Sequence, residues 1–135
     1  MDNYLNIFNN IFNTIITKYG LLVEQRDINT IMLRGSGYAL EVIVSRDGVS
    51  LYYQTNNSYG ELLQYDIDSY ISSQFTLEDR KEIGNPQTIE EIIIAELKVT
   101  ASGLLNHFEN ILKGYKKWID VYEQSPFAVA PRILR

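Results

Sequence analysis

Three turn signals in close succession, Asp27-Ile28-Asn29, Gly35-Ser36-Gly37 and Asp47-Gly48, cut the stretch from Leu21 to Thr55 into short segments. Glycine, asparagine and aspartate supply the backbone conformations that tight hairpins need, and Asp-Gly between alternating runs is the strongest short-range hairpin signal. The intervening segments, Leu21 to Gln25, Thr30 to Arg34, Tyr38 to Ser45 and Val49 to Thr55, have strand character. An antiparallel meander follows. Within the third segment Leu40, Val42 and Val44 share one face while Glu41 and Ser45 lie on the other, the pattern of a sheet with one covered face. Adjacent Tyr52 and Tyr53 must point to opposite faces, so at least one of them is turned toward the less covered side.

Helical periodicity flanks the meander. Tyr4, Ile7, Phe8, Ile11, Phe12, Ile15 and Tyr19 recur at three- and four-residue spacing, which predicts an amphipathic helix over 3–19 closed by Gly20. Its polar face is mostly asparagine and threonine; a membrane-surface helix would carry Lys and Arg there, so core packing is the expected role. At the other end, Thr88 and Glu91 have the spacing of a capping box, and an apolar stripe from Ile89 to Tyr122 predicts one helix over 88–123, stopped by Ser125-Pro126. Such a helix would be about 54 Å long, whereas a compact chain of this length is about 37 Å across. It must bend, break or protrude. Ser102-Gly103 is the first candidate for a bend and Gly114 the second, because glycine weakens a helix interior by about 1 kcal/mol. A protruding helix would point to a homodimer.

Between these elements, Tyr59 to Gln64 reads as an added edge strand and Ile67 to Gln74 as a short helix capped by Asp66 or Asp68. Thr76 to Gln87, with Gly84-Asn85-Pro86, reads as a charged surface connection and the most mobile stretch. At 135 residues and 45% hydrophobic content the chain suits one core. The expected architecture is a single α+β domain over 1–135: an antiparallel meander of four or five strands, covered by an N-terminal helix and a long C-terminal helix, with 124–135 as an extended tail.

Composition removes several function classes. Seventeen acids against twelve bases argue against sequence-independent nucleic-acid binding, which needs basic side chains to replace phosphate counterions. With no cysteine and His107 the single histidine, disulfides, thiolate chemistry and multi-histidine metal sites are excluded within one chain. No apolar run approaches the roughly 20 residues of a membrane span, and the N-terminus lacks the basic start and apolar core of a signal peptide. Cytoplasmic residence is expected.

The candidate chemical motifs reduce to architecture. Gly35-Ser36-Gly37 beside Arg34 is followed by a strand, not by the helix a phosphate loop requires. Asp66 and Asp68 lack the further oxygen ligands and glycine of a calcium loop. No motif supplies His107 with a nucleophile or an orienting acid, and no carboxylate pair is distinguished as catalytic. No catalytic residue, metal ligand or cofactor is assigned, and the chain does not read as an enzyme.

What stands out is charge. Residues 61 to 96 hold nine acids against Arg80 and Lys81, so this segment carries more than the whole formal net charge of −5. Part of that has ordinary causes. Glu90, Glu91 and Glu96 favour the start of a helix by the macrodipole, and Glu78, Asp79 and Glu82 sit beside Arg80 and Lys81. The remainder is Glu61, Asp66 and Asp68, interleaved with Tyr59, Tyr65 and Tyr70. Tyrosine offers a large contact area with few rotatable bonds and is enriched in interfaces, so these six residues form the candidate partner-binding surface.

The N-terminal amphipathic helix, the meander containing Ser45-Arg46-Asp47-Gly48-Val49-Ser50-Leu51-Tyr52-Tyr53, the short helix and the long C-terminal helix of a small acidic chain together resemble the small bacterial immunity proteins of contact-dependent inhibition and related polymorphic-toxin systems. The resemblance is architectural and compositional and carries over no functional residue. It implies a cytoplasmic protein that neutralises a basic toxin, for example a nuclease, by covering its active site or substrate groove. The alternative expectation is a homodimeric structural or adaptor protein that uses the long helix and the apolar tail Phe127-Ala128-Val129-Ala130-Pro131, and the third, ranked below it, is an enzyme with unmarked carboxylate chemistry.

Overall fold

The computed structural model describes residues 4–81 and 83–134. Its frame is a six-stranded antiparallel sheet in chain order, made of β1 (Leu22–Asp27), β2 (Thr30–Gly35), β3 (Tyr38–Ser45), β4 (Gly48–Asn56), β5 (Leu62–Asp66) and β6 (Arg132–Leu134). The first four strands lie where the turn residues place them. Asp27 Oδ1 accepts the Asn29 N–H at 2.8 Å in the first turn, and Gly37 (φ 77°) and Gly48 (φ 123°) supply the positive φ of the next two.

Register sorts the side chains into two faces. Val23, Leu33, Leu40, Tyr53 and Tyr65 form one cross-strand row, with Ile31, Val42 and Leu51 beside it. This face is packed by α1 (Leu5–Ile11), α2 (Asn13–Tyr19), α3 (Asp68–Ser72), α4 (Ile89–His107), α5 (Glu109–Leu112) and α6 (Trp118–Glu123). Phe8, Phe12, Leu97, Leu104 and Tyr122 are fully buried against it, and each large apolar side chain so buried contributes about 1.5–3 kcal/mol.

The N-terminal helix is nearly the one the periodicity predicts. Only Phe12 (φ −93°, ψ 6°) leaves helical geometry, and the ladder runs through it: Phe12 N–H donates to Phe8 O at 2.8 Å and Ile16 N–H to Phe12 O at 2.9 Å. Gly20 closes the helix in the left-handed conformation. Asn3, the expected first residue, lies outside the described residues.

The C-terminal half departs from expectation in three ways. First, the helix expected over 88–123 is three helices. Its capping box is as predicted, Glu91 N–H donating to Thr88 Oγ1 at 3.1 Å and Thr88 N–H to Glu91 Oε1 at 3.2 Å. Yet α4 runs straight through Ser102-Gly103 and ends at Phe108 (φ −128°, ψ 38°). Gly103 serves packing: the Phe75 ring lies where its Cβ would stand. The second break is Gly114, whose φ is 87° and whose Cβ would stand 2.7 Å from Ser36 O. Tyr38 Oη caps the same corner, donating to Leu112 O at 2.7 Å. At 19 residues, α4 is about 29 Å long. It fits the domain, which removes the length argument for a protruding helix.

Second, the tail is tied down. Arg132–Leu134 pairs antiparallel with β5, so β5 is an interior strand, not the sheet edge expected from Tyr59–Gln64. The fully buried Tyr122 links the two: its hydroxyl donates to Asp66 O at 3.0 Å and accepts the Val129 N–H at 2.9 Å. Third, the connection over 76–87 is anchored through Asp79, as described below. No helix among the described residues is long and apolar enough to cross a membrane.

Candidate functional site

On the face turned away from the helices, period two and the register bring together residues far apart in sequence. Glu24, Met32, Glu41, Tyr52 and Asp66 form one continuous row across five strands. At the β1 end charge is compensated. Glu24 accepts Arg34 Nε at 3.0 Å and pairs with Arg26 at 3.0 Å, and the Arg34 hydrogen bond holds its carboxyl below the usual range. Toward β5 compensation stops. Among the described residues, Glu41, Glu61, Asp66, Asp68 and Glu96 have no Lys or Arg within ion-pair distance.

Of the six residues the sequence singles out, the structure places Asp66 in this row, Tyr59 and Glu61 at the tip of the β4–β5 hairpin and Asp68 in a cleft against α4. Tyr59 is 87% exposed at the tip of the β4–β5 hairpin. Asn57 organises that tip: its Oδ1 accepts the Tyr59 and Glu61 N–H groups, both at 2.9 Å, and its Nδ2 donates to Glu61 Oε1 at 2.9 Å. Asp66 is exposed at the end of β5, where its Oδ1 accepts the Asp68 N–H at 3.3 Å. It thus satisfies the start of α3 from one position before Ile67, the N-cap, which contributes no side-chain bond. Tyr65 and Tyr70 belong elsewhere. Tyr65 is 6% exposed and meets Tyr122 edge-on at 6.0 Å, while Tyr70 packs edge-on to Tyr122 at 5.2 Å and against Trp118 at 6.3 Å. Tyr65 has the core-side parity of Tyr53, opposite it in register, and Tyr70 is drawn into the aromatic cluster under α6. Glu41 and Tyr52, both half-buried, take their places on the side turned away from the helices, where Met32 of the same row is fully buried.

Asp68 faces a cleft of about 360 Å³ between α3, β4 and α4. Burial, together with the charges of Asp66 and Glu96, pushes its carboxyl up to about 6 against the smaller opposing influence of the Leu51 backbone. Glu96 enters the same cleft from α4 and accepts the Val49 N–H at 2.8 Å. Gly48 permits this approach, since a Cβ there would overlap the Glu96 carboxylate.

The other acids of the segment separate into different environments. Glu78 pairs with Lys81, Glu91 is used in the cap, and Glu82 lies outside the described residues. Asp79 was expected to be answered locally by Arg80 and Lys81. Instead its side chain is 0% exposed and accepts from Thr76 N at 2.9 Å, Thr76 Oγ1 at 3.2 Å, Ser102 Oγ at 2.9 Å, Asn106 Nδ2 at 2.9 Å and His107 Nε2 at 2.9 Å. Burial alone would raise its pKa, but the bonds from Thr76, Asn106, Ser102 and His107 outweigh it and hold the carboxyl well below the usual range. His107 therefore has an orienting acid after all, 28 positions away. With both carboxylate oxygens shared among loop and helix donors, the cluster fastens the 76–87 connection to α4. Its sequence signal was the polar run Ser102, Asn106 and His107 on α4.

Among the described residues, no group of three or more His, Cys, Asp or Glu is arranged to hold a metal ion. The chain matches no protein-family model, and neither the curated proteins nor the solved structures contain a significant match to it.

Proposed function

We propose that this chain is a cytoplasmic immunity-type binding protein that attaches to a basic toxin domain, such as a nuclease, and neutralises it by covering its working surface. The observation that carries this reading is the Glu41–Tyr52–Asp66 row: two carboxylates without a basic partner flank a tyrosine on the side of the sheet turned away from the helices. Glu61 and the exposed Tyr59 add an acid and a tyrosine apart from it, at the hairpin tip. Charge of one sign speeds encounter with a basic partner and fixes register, while the tyrosines supply the buried contact area. The resemblance to immunity proteins of polymorphic-toxin systems supports the same reading.

The test is co-expression and binding with a toxin encoded beside the gene. Replacing Glu41, Glu61 and Asp66 together by lysine should weaken binding by at least about a hundredfold, because like charges set against a basic partner cost several kcal/mol. Full protection and unchanged affinity in that variant would sink the assignment of the surface. A second reading, self-association, is favoured by the apolar exposure at the C-terminal end, with Val121 62%, Val129 56%, Ile133 46% and Phe127 39% exposed. Sedimentation that gives a monomer at micromolar concentration would dismiss it.

A further inference from the structure

The cleft between α3, β4 and α4 has the make-up of a receptor for a cation carried on an aliphatic stem. Val49, Phe75, Ile83, Ile92 and Val99 give it apolar walls, and Asp68 and Glu96 place two carboxylates among them. One of the two acids is held in place: the Val49 N–H fixes Glu96, so it does not turn outward without giving up a backbone bond. Arg80 also lines the cleft, yet its guanidinium is not within ion-pair distance of either carboxylate. Burial first, and then the charges of Asp66 and Glu96, raise the cost of ionising Asp68 in this partly apolar recess. A positive charge entering from outside removes it.

We propose that this cleft receives a lysine or arginine side chain of a basic protein partner, its stem against the apolar walls and its charged head between Asp68 and Glu96. This rests on the reading that the chain binds a basic protein, and it names where such a partner is anchored. A bare metal ion is the poorer match, because no third acidic or imidazole ligand joins the pair among the described residues. An apolar wall suits an alkyl stem, and burying such a stem while pairing its head is how long basic side chains act as anchors.

The Val49 amide, which bonds to the Glu96 carboxylate, and the backbone amide of Asp68 itself are the reporters. Titration of the isotopically labelled protein with a heptalysine peptide at low salt should move both resonances saturably, while the peptide in which norleucine replaces lysine should leave them still. In the double variant Asp68→Asn, Glu96→Gln, whose side-chain oxygen at position 96 still accepts from the Val49 N–H, the peptide's affinity should fall about tenfold, or about 1.4 kcal/mol. If heptalysine moves only resonances on the sheet face around Glu41 and Asp66, the cleft is not the anchor, although the acidic-surface reading stands. If it moves nothing, both fall. If 1,5-diaminopentane occupies the cleft more tightly than heptalysine, the cleft is a site for a free amine and the proposal is overturned.

Discussion

Replacing Asp68 by asparagine should stabilise the free protein at neutral pH, the reverse of what loss of a native hydrogen-bonding residue usually does. The carboxyl is raised from 3.8 to about 6 by burial and by Asp66 and Glu96. A group whose folded pKa lies above its unfolded value binds its proton more tightly in the folded state. Its ionisation therefore costs stability, beginning as pH rises past about 4 and complete above about 6. At about 1.36 kcal/mol for each pKa unit, the full rise corresponds to an upper bound of about 3 kcal/mol. Asp68 is only partly buried, and solvent screening reduces that to about 1–1.5 kcal/mol. Asparagine has nearly the size and shape of aspartate, so the substitution removes the charge and keeps the packing. Thermal unfolding at pH 7.5 should show a midpoint about 3–6 °C higher in the variant. The wild type should gain stability as pH falls from 6.5 to 4.5, and Asp68→Asn should lose that gain. A variant less stable than wild type at pH 7.5, or one with the same slope between pH 4.5 and 6.5, would refute the placement of two unneutralised carboxylates in the cleft.

Asp79 should behave in the opposite sense. Its depressed carboxyl contributes stability that is complete above about pH 4 and is lost as pH falls toward its folded value. Asp79→Ala leaves five donors without their acceptor and should cost about 3–5 kcal/mol, measured by urea denaturation at pH 7, with faster amide exchange across 76–87; a cost under about 1 kcal/mol would mean the loop is not held through this carboxylate. Tyr122→Phe keeps the packing and removes the hydroxyl shared by Asp66 O and Val129 N–H. It should cost about 1–3 kcal/mol and raise exchange at Val129 and in Arg132–Leu134, whereas unchanged exchange there would show that β6 holds to β5 without the clamp.

What was legible in the sequence is what is decided locally. Asp47-Gly48 makes its hairpin and Thr88 with Glu91 makes its cap because the interacting groups lie within four residues of each other. The position of the helix break was not of this kind. Gly103 and Gly114 offer a helix the same weakness, and the difference lies in what approaches each: the Phe75 ring against one, the Ser36 carbonyl against the other. Gly103 keeps helical backbone beneath the ring, while Gly114 takes a φ of 87° that no helix continues through. β6 was hidden for a related reason, since three residues carry no period and Arg132–Leu134 becomes a strand only because β5 offers it a ladder.

The same distinction governs the acidic segment. Read along the chain, residues 61 to 96 form one block of charge, and Glu41 has no part in it. Folding takes Asp79 into the interior, ties Glu91 to a helix start and pairs Glu78 with Lys81. It then sets Glu41 beside Tyr52 and Tyr52 beside Asp66 through strand register alone. A one-residue slip between β3 and β4 would put Tyr53 in that row and Tyr52 in the core, because the side-chain period is two. The buried row Leu33–Leu40–Tyr53–Tyr65 forbids the slip. The apolar face that makes the domain stable is therefore also what holds the acids and the tyrosine of the opposite face in one line.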